Sequence, residues 1–121
     1  LQAGKTAKWI LETAALRPDE IEGLSELIRD TVLDNFGEEA APRVFLKTST
    51  GFFKPADGRP GGATPEAVRI MVEAGAPLPV KAAGGVRDLN AAEQMIALGV
   101  TRIGTSSAKK LVQGEASSAQ Y

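Results

Sequence analysis

Four short apolar runs alternate with four stretches of helical character, and this alternation constrains the fold more than any other feature of the chain. Trp9-Ile10-Leu11, Val44-Phe45-Leu46, Leu78-Pro79-Val80 and the run from Val100 to Gly104 have the length and content of buried strands. Between them Ile21, Leu24, Leu27, Ile28 and Val32 form one apolar stripe at helical spacing. Val68, Met71 and Val72 form a second, and Ala92, Met95, Ile96 and Leu98 a third. Pro18-Asp19-Glu20 and Thr64-Pro65-Glu66 read as helix starts, because proline loses nothing in a first turn and acids there favour the dipole. Asp88 or Asn90 caps the third helix and Gly99 closes it. Thr105-Ser106-Ser107 opens a short last helix to about Val112. The pattern predicts one domain over residues 1–121, with strands near 8–13, 43–49, 78–83 and 100–105 and a tail over 114–121.

A β-α unit repeated four times with short connections requires a parallel sheet with right-handed crossovers. Two α/β architectures satisfy it: a small open sheet, or half of a TIM (β/α)8 barrel, a (β/α)4 unit. Polar residues stand at the C-terminal end of each strand, namely Glu12, Lys47, Lys81 and Thr105. In barrels that rim carries the chemistry, which favours the half-barrel.

Composition removes several functional classes. Cysteine and histidine are both absent, which excludes a zinc site and any nucleophile paired with histidine. No metal or other cofactor is expected. Fourteen basic against 15 acidic residues, with no basic stripe, argue against a nucleic-acid partner. No apolar run approaches bilayer length and the start shows no signal-peptide pattern, so no membrane partner and a cytoplasmic setting are expected. Acid–base or covalent chemistry then falls to Lys, Asp, Glu, Tyr, Ser or Thr.

Among these, Lys47 and Lys81 hold matching places on consecutive strands, each followed by small residues. Neighbouring parallel strands lie about 4.8 Å apart, so the two ammonium groups would face one another. Burial and a like charge each favour the neutral amine, which attacks carbonyls to form imines. The bland alternative is a pair of strand-end lysines reaching into solvent. Gly84-Gly85-Val86, with Arg87 beside it, and Gly104-Thr105-Ser106-Ser107 lie between strands and helices, where exposed N–H groups suit an anion. Glycine pairs also occur at such turns for steric reasons alone. Tyr121 ends the chain; such a residue is either loosely packed or a phenol able to fold over a site and move protons.

Lys47-Thr48-Ser49-Thr50-Gly51-Phe52, Gly61-Gly62-Ala63-Thr64 and Lys81-Ala82-Ala83-Gly84-Gly85-Val86-Arg87 together resemble the deoxyribose-phosphate aldolase family. Ile10-Leu11-Glu12-Thr13 and Gly104-Thr105-Ser106-Ser107 fit the same family in the same order. The resemblance spans nearly the whole chain but only the second half of the family's barrel. It implies a class I lyase that cleaves 2-deoxyribose 5-phosphate to glyceraldehyde 3-phosphate and acetaldehyde. By it Lys47 forms the imine, Lys81 favours its neutral form, and Tyr121 assists proton transfer. Thr50, Gly51, Gly84, Gly85, Arg87, Gly104, Ser106 and Ser107 would bind the phosphorylated substrate.

Two departures stand against the family pattern. A catalytic aspartate of an earlier strand has no counterpart, leaving Glu12, Asp57 or a partner's residue as candidates to replace it. A phosphate-contacting lysine of some members is Phe52 here, with Lys54 and Arg59 in the following loop. A half-barrel also leaves two edges unpaired, so a homodimer completing the barrel is expected. Two other functions fit the residues: a weakly active or non-catalytic half-barrel that binds a phosphorylated ligand, and a Schiff-base lyase for an unphosphorylated aldehyde.

Overall fold

Each apolar run becomes a strand and each striped stretch a helix. The computed structural model describes residue 1 and residues 3–114. Within them the order is β1 (Ala7–Ile10), α1 (Pro18–Phe36), β2 (Val44–Lys47), α2 (Pro65–Gly75), β3 (Val80–Ala83), α3 (Leu89–Ala97), β4 (Arg102–Gly104) and α4 (Ala108–Val112). Two 3-10 turns, Thr13–Ala15 and Glu38–Arg43, complete the path.

The helix starts follow the capping chemistry. Pro18 occupies the first turn of α1, and the Arg17 N–H donates to Glu20 Oε1 at 2.9 Å. Thr64 Oγ1 accepts from the Ala67 N–H at 3.2 Å to open α2. At α3 the cap is Asp88 rather than Asn90, its carboxylate accepting from the Ala91 N–H at 2.7 Å.

All four strands are shorter than the pattern predicts. β1 stops at Ile10 because Glu12 turns left-handed, with φ 58° and ψ 61°. β2 stops at Lys47 because the Thr48 hydroxyl takes over the pairing: it receives the Ala83 N–H and donates to the Ala83 carbonyl, both at 3.0 Å. Before β3, the Leu78 N–H closes a turn onto Gly75 and Pro79 has none to give. Before β4, the Val100 N–H closes onto Met95 at the end of α3.

The strands lie in the order β1-β2-β3-β4, every pair parallel. No reversal of strand order occurs, so the chain is wound in one direction only. A doubly wound open sheet requires such a reversal, and a barrel forbids it. The helices accordingly pack in sequence, α1 on α2, α2 on α3 and α3 on α4, over one face of the sheet. The fold is therefore α/β, with the winding of half a (β/α)8 barrel. No helix among the described residues is long and apolar enough to cross a membrane.

The core lies between sheet and helices. Val44, Leu46, Val68, Met71, Val80 and Ala82 are all buried there to within 1%. Leu46 presses on Gly75 at the end of α2, where any larger residue would collide with its side chain. Because successive strand residues alternate faces, Phe45 and Lys47 point away from the helices. At one height across that uncovered face stand Ile10, Lys47, Lys81 and Arg102, each the register partner of the next.

A second glycine contact fixes the loop between β2 and α2. A Cβ added at Gly62 would lie 2.5 Å from the Gly84 carbonyl oxygen and 2.9 Å from its Cα. The neighbouring Ala63 N–H donates to both the Ala83 and Gly84 carbonyls, at 3.1 and 2.9 Å. Gly62→Ala should thus force these backbones apart and destabilise the chain by about 1–3 kcal/mol, the usual range for overpacking. Urea denaturation measures it; an unchanged midpoint would show that the contact is slack.

Candidate active site

The site is built on the C-terminal ends of β2 and β3. Lys47 closes β2, Lys81 is the second residue of β3, and the ladder places their Cα atoms opposite one another. Both side chains are half-buried and project from the same face of the sheet. Arg102, opposite Lys81 on β4, extends the row to three cations. Its guanidinium lies 4.1 Å from the centroid of the Phe45 ring, where cation–π attraction holds it. The row sits beside apolar surface, since Ile10 continues it and Phe45 underlies it.

Beyond Lys47 the chain is held from both sides. The Leu11 and Thr13 N–H groups donate to the Lys47 and Thr48 carbonyls, each at 2.9 Å, and the Thr48 N–H donates to Lys81 O at 3.1 Å. Thr48 and Ser49 are fully buried, and Ser49 Oγ donates to Thr48 Oγ1 at 3.2 Å. The Thr50 N–H is shared between the two carboxylate oxygens of Glu12, at 3.2 and 3.3 Å. Thr50 Oγ1 in turn accepts from the Phe52 N–H at 3.1 Å. Thr50 therefore offers a ligand its hydroxyl proton rather than its amide.

The remaining sequence candidates divide into two groups. A cavity of about 560 Å³ takes in Gly51, Gly84, Gly85 and Arg87, and adds Lys54 and Arg59. Gly84 and Gly85 both have positive φ, 82° and 78°, which lets the turn pass close under Gly62. Lys47, Lys81, Thr50, Gly104, Ser106 and Ser107 lie outside the described lining. At the β4 exit, Thr105 Oγ1 donates to Val86 O at 3.1 Å and accepts the Ser107 N–H at 3.0 Å. That turn is thus occupied with joining β3 to β4; Ser106 is its exposed hydroxyl and Ser107 its buried one. Tyr121 lies outside the described residues.

Of the two acids considered as replacements for an aspartate, Asp57 is committed elsewhere. The Arg59 backbone N–H, with its guanidinium at 2.6 Å, holds the Asp57 carboxyl below the usual carboxylate range. It is an anion bracing the cavity wall, poorly suited to donate a proton. Glu12 is committed to Thr50. The sequence reading passed over Thr48, whose hydroxyl joins β2 to β3, and Arg102, which extends the cation row.

Comparisons with known proteins agree with the α/β winding described above. No family model matches the chain. The deoxyribose-phosphate aldolase of Staphylococcus haemolyticus (strain JCSC1435) is 43% identical over 119 residues, which cover 98% of this chain and 47% of that protein. Deoxyribose-phosphate aldolase 2 of Staphylococcus aureus (strain COL) is 41% identical over the same shares. Among solved structures, an aldolase designated QR15 superposes with a TM-score of 0.68 at 36% identity, covering 88% of this chain and 41% of its own. The tetrameric deoxyribose phosphate aldolase of Aeropyrum pernix gives a TM-score of 0.66 at 29% identity, covering 93% and 42%. The chain spans about half the length of the curated relatives it matches. Over nearly its whole span the chain is similar to the deoxyribose-phosphate aldolases, as a partial match of the kind their C-terminal half would give.

Proposed function

We propose that the chain carries the imine-forming half of a class I aldolase that acts on 2-deoxyribose 5-phosphate. The observation that supports this most directly is the register pairing of Lys47 with Lys81 on the uncovered face. The neutral amine of Lys47 is the form that attacks a carbonyl. Its nitrogen adds to the C1 aldehyde of the open-chain sugar, and loss of water gives the iminium. Removal of the C3 hydroxyl proton then lets the C2–C3 bond break. Glyceraldehyde 3-phosphate leaves, and the bonding pair passes into the enamine on Lys47. Protonation at C2 and hydrolysis release acetaldehyde and regenerate the lysine. Tyr121 is assigned to that C2 protonation.

The cavity beside Gly84 and Gly85 has the size of a small-ligand site, and Arg87 and Lys54 line it with groups suited to a phosphate, while Arg59 in the same wall is paired with Asp57. Because its described lining leaves out both lysines, it also favours a second reading: a module that binds a phosphorylated ligand without turnover. Borohydride trapping separates the two. Turnover chemistry leaves a reduced two-carbon adduct on Lys47 after incubation with acetaldehyde; a binding module leaves none.

Closure of the barrel by a second copy is part of the proposal. Trp9 and Ile10 on the β1 edge are 55% and 46% exposed, which is surface that a paired strand would cover. Each copy, however, brings its own row of Lys47, Lys81 and Arg102 to the interior. Self-association should therefore strengthen with salt, as screening weakens repulsion between the rows. Light scattering after size-exclusion chromatography tests this. A stable monomer at micromolar concentration in both low and high salt would remove the homodimer.

A further inference from the structure

Glu12 is the one non-glycine residue among the described residues with a left-handed backbone, at φ 58° and ψ 61°. Side chains disfavour that conformation, and it persists where surrounding structure imposes it. The hydrogen bonds on either side show what imposes it. Leu11 and Thr13, two residues apart, donate to Lys47 and Thr48, which are adjacent. Two steps at the exit of β1 thus answer one step of β2, and Glu12 is the extra residue of a bulge. Bulges re-aim a side chain. This one aims the Glu12 carboxylate across the rim, where both oxygens lie 3.2–3.3 Å from the Thr50 nitrogen. The same side chain makes no hydrogen bond to the 3-10 turn that Glu12 precedes, so capping that turn is not its use.

Thr50 is three residues beyond Lys47. Between them the Thr48 carbonyl accepts from Thr13 on the β1 side, and the Thr48 hydroxyl pairs with Ala83 on the β3 side. Of these ties Glu12 alone reaches on to Thr50. We propose that Glu12 is a positioning residue: its carboxylate pins the Thr50 amide to the end of β1 and fixes the loop that orients Lys47. A second consequence follows from its charge. With the Thr50 N–H occupied by an anion, the phosphate end of a substrate is repelled from the β1 side of the rim. It is directed instead towards Gly84, Gly85 and Arg87, leaving the carbonyl end for Lys47. The inference rests on Lys47 being the imine-forming lysine.

Three variants of the full chain test it. Glu12→Ala removes the carboxylate and keeps the strained backbone. Glu12→Gly removes the carboxylate and relieves the strain. Glu12→Gln keeps an oxygen able to accept from Thr50. Trapping of acetaldehyde on Lys47 should slow at least about tenfold in both Ala and Gly variants, the scale of a misplaced reacting group. It should stay within about threefold of wild type in Glu12→Gln, where the hydrogen bond survives. Glu12→Gly should unfold at or above the midpoint of Glu12→Ala, separating the loss from fold stability. Trapping in Glu12→Gly at the wild-type rate would overturn the assignment. If wild type itself forms no adduct, the aldolase reading fails, and the tether is judged by hydrogen exchange at the Thr50 amide. Protection in wild type and Glu12→Gln, lost in Glu12→Gly, upholds it; equal exchange in all three removes it.

Discussion

Lys47→Ala is expected to lose the borohydride-trapped adduct completely and to lower aldol cleavage by at least about 10³-fold, the scale seen when a covalent nucleophile is removed. The fold should survive. The Lys47 side chain is half-buried and points away from the helices, so truncation opens no cavity in the core between sheet and helices. Intact-protein mass spectrometry after reduction reads the adduct, and peptide mapping places it. An adduct of undiminished yield in Lys47→Ala would assign the chemistry to another amine, with Lys81 the first alternative. Circular dichroism of the variant guards against loss through unfolding.

Lys81→Leu should leave the nucleophile in place and slow the chemistry it performs. Lys81 stands opposite Lys47 in the ladder, on the same face and equally half-buried. Removing a positioned charge beside the reacting amine should lower aldol cleavage by about 10²-fold, the scale of one preorganised polar group. The borohydride-trapped adduct should still map to Lys47 and form more slowly. Lys81→Arg, which keeps the charge, should lose less than Lys81→Leu. Trapping and cleavage at the wild-type rate in Lys81→Leu would remove Lys81 from the site.

The periodicity of the chain was sufficient for the order of elements, because strands and helices repeat their apolar residues at different intervals. Pro18, Thr64, Asp88 and Gly99 marked helix ends through chemistry that acts over three or four residues. Strand ends were less legible. A strand stops where its ladder stops, and that depends on a partner distant in sequence, as Thr48 with Ala83 shows. The same limit hid the roles of Glu12 and Arg102, whose partners Thr50 and Phe45 lie 38 and 57 residues away along the chain.

By itself, then, the sequence determined that four β-α units would form a parallel sheet and that Lys47 and Lys81 would stand on consecutive strands, since both follow from local pattern. Only the tertiary structure decided that the winding runs in one direction, so that the helices cover one face and leave the lysines on the other. It alone set the register that makes Lys47, Lys81 and Arg102 one row, and the bulge that turns Glu12 onto Thr50. Register and bulge are properties of paired backbones, fixed by hydrogen bonds between strands far apart in sequence, and no single stretch of residues contains them.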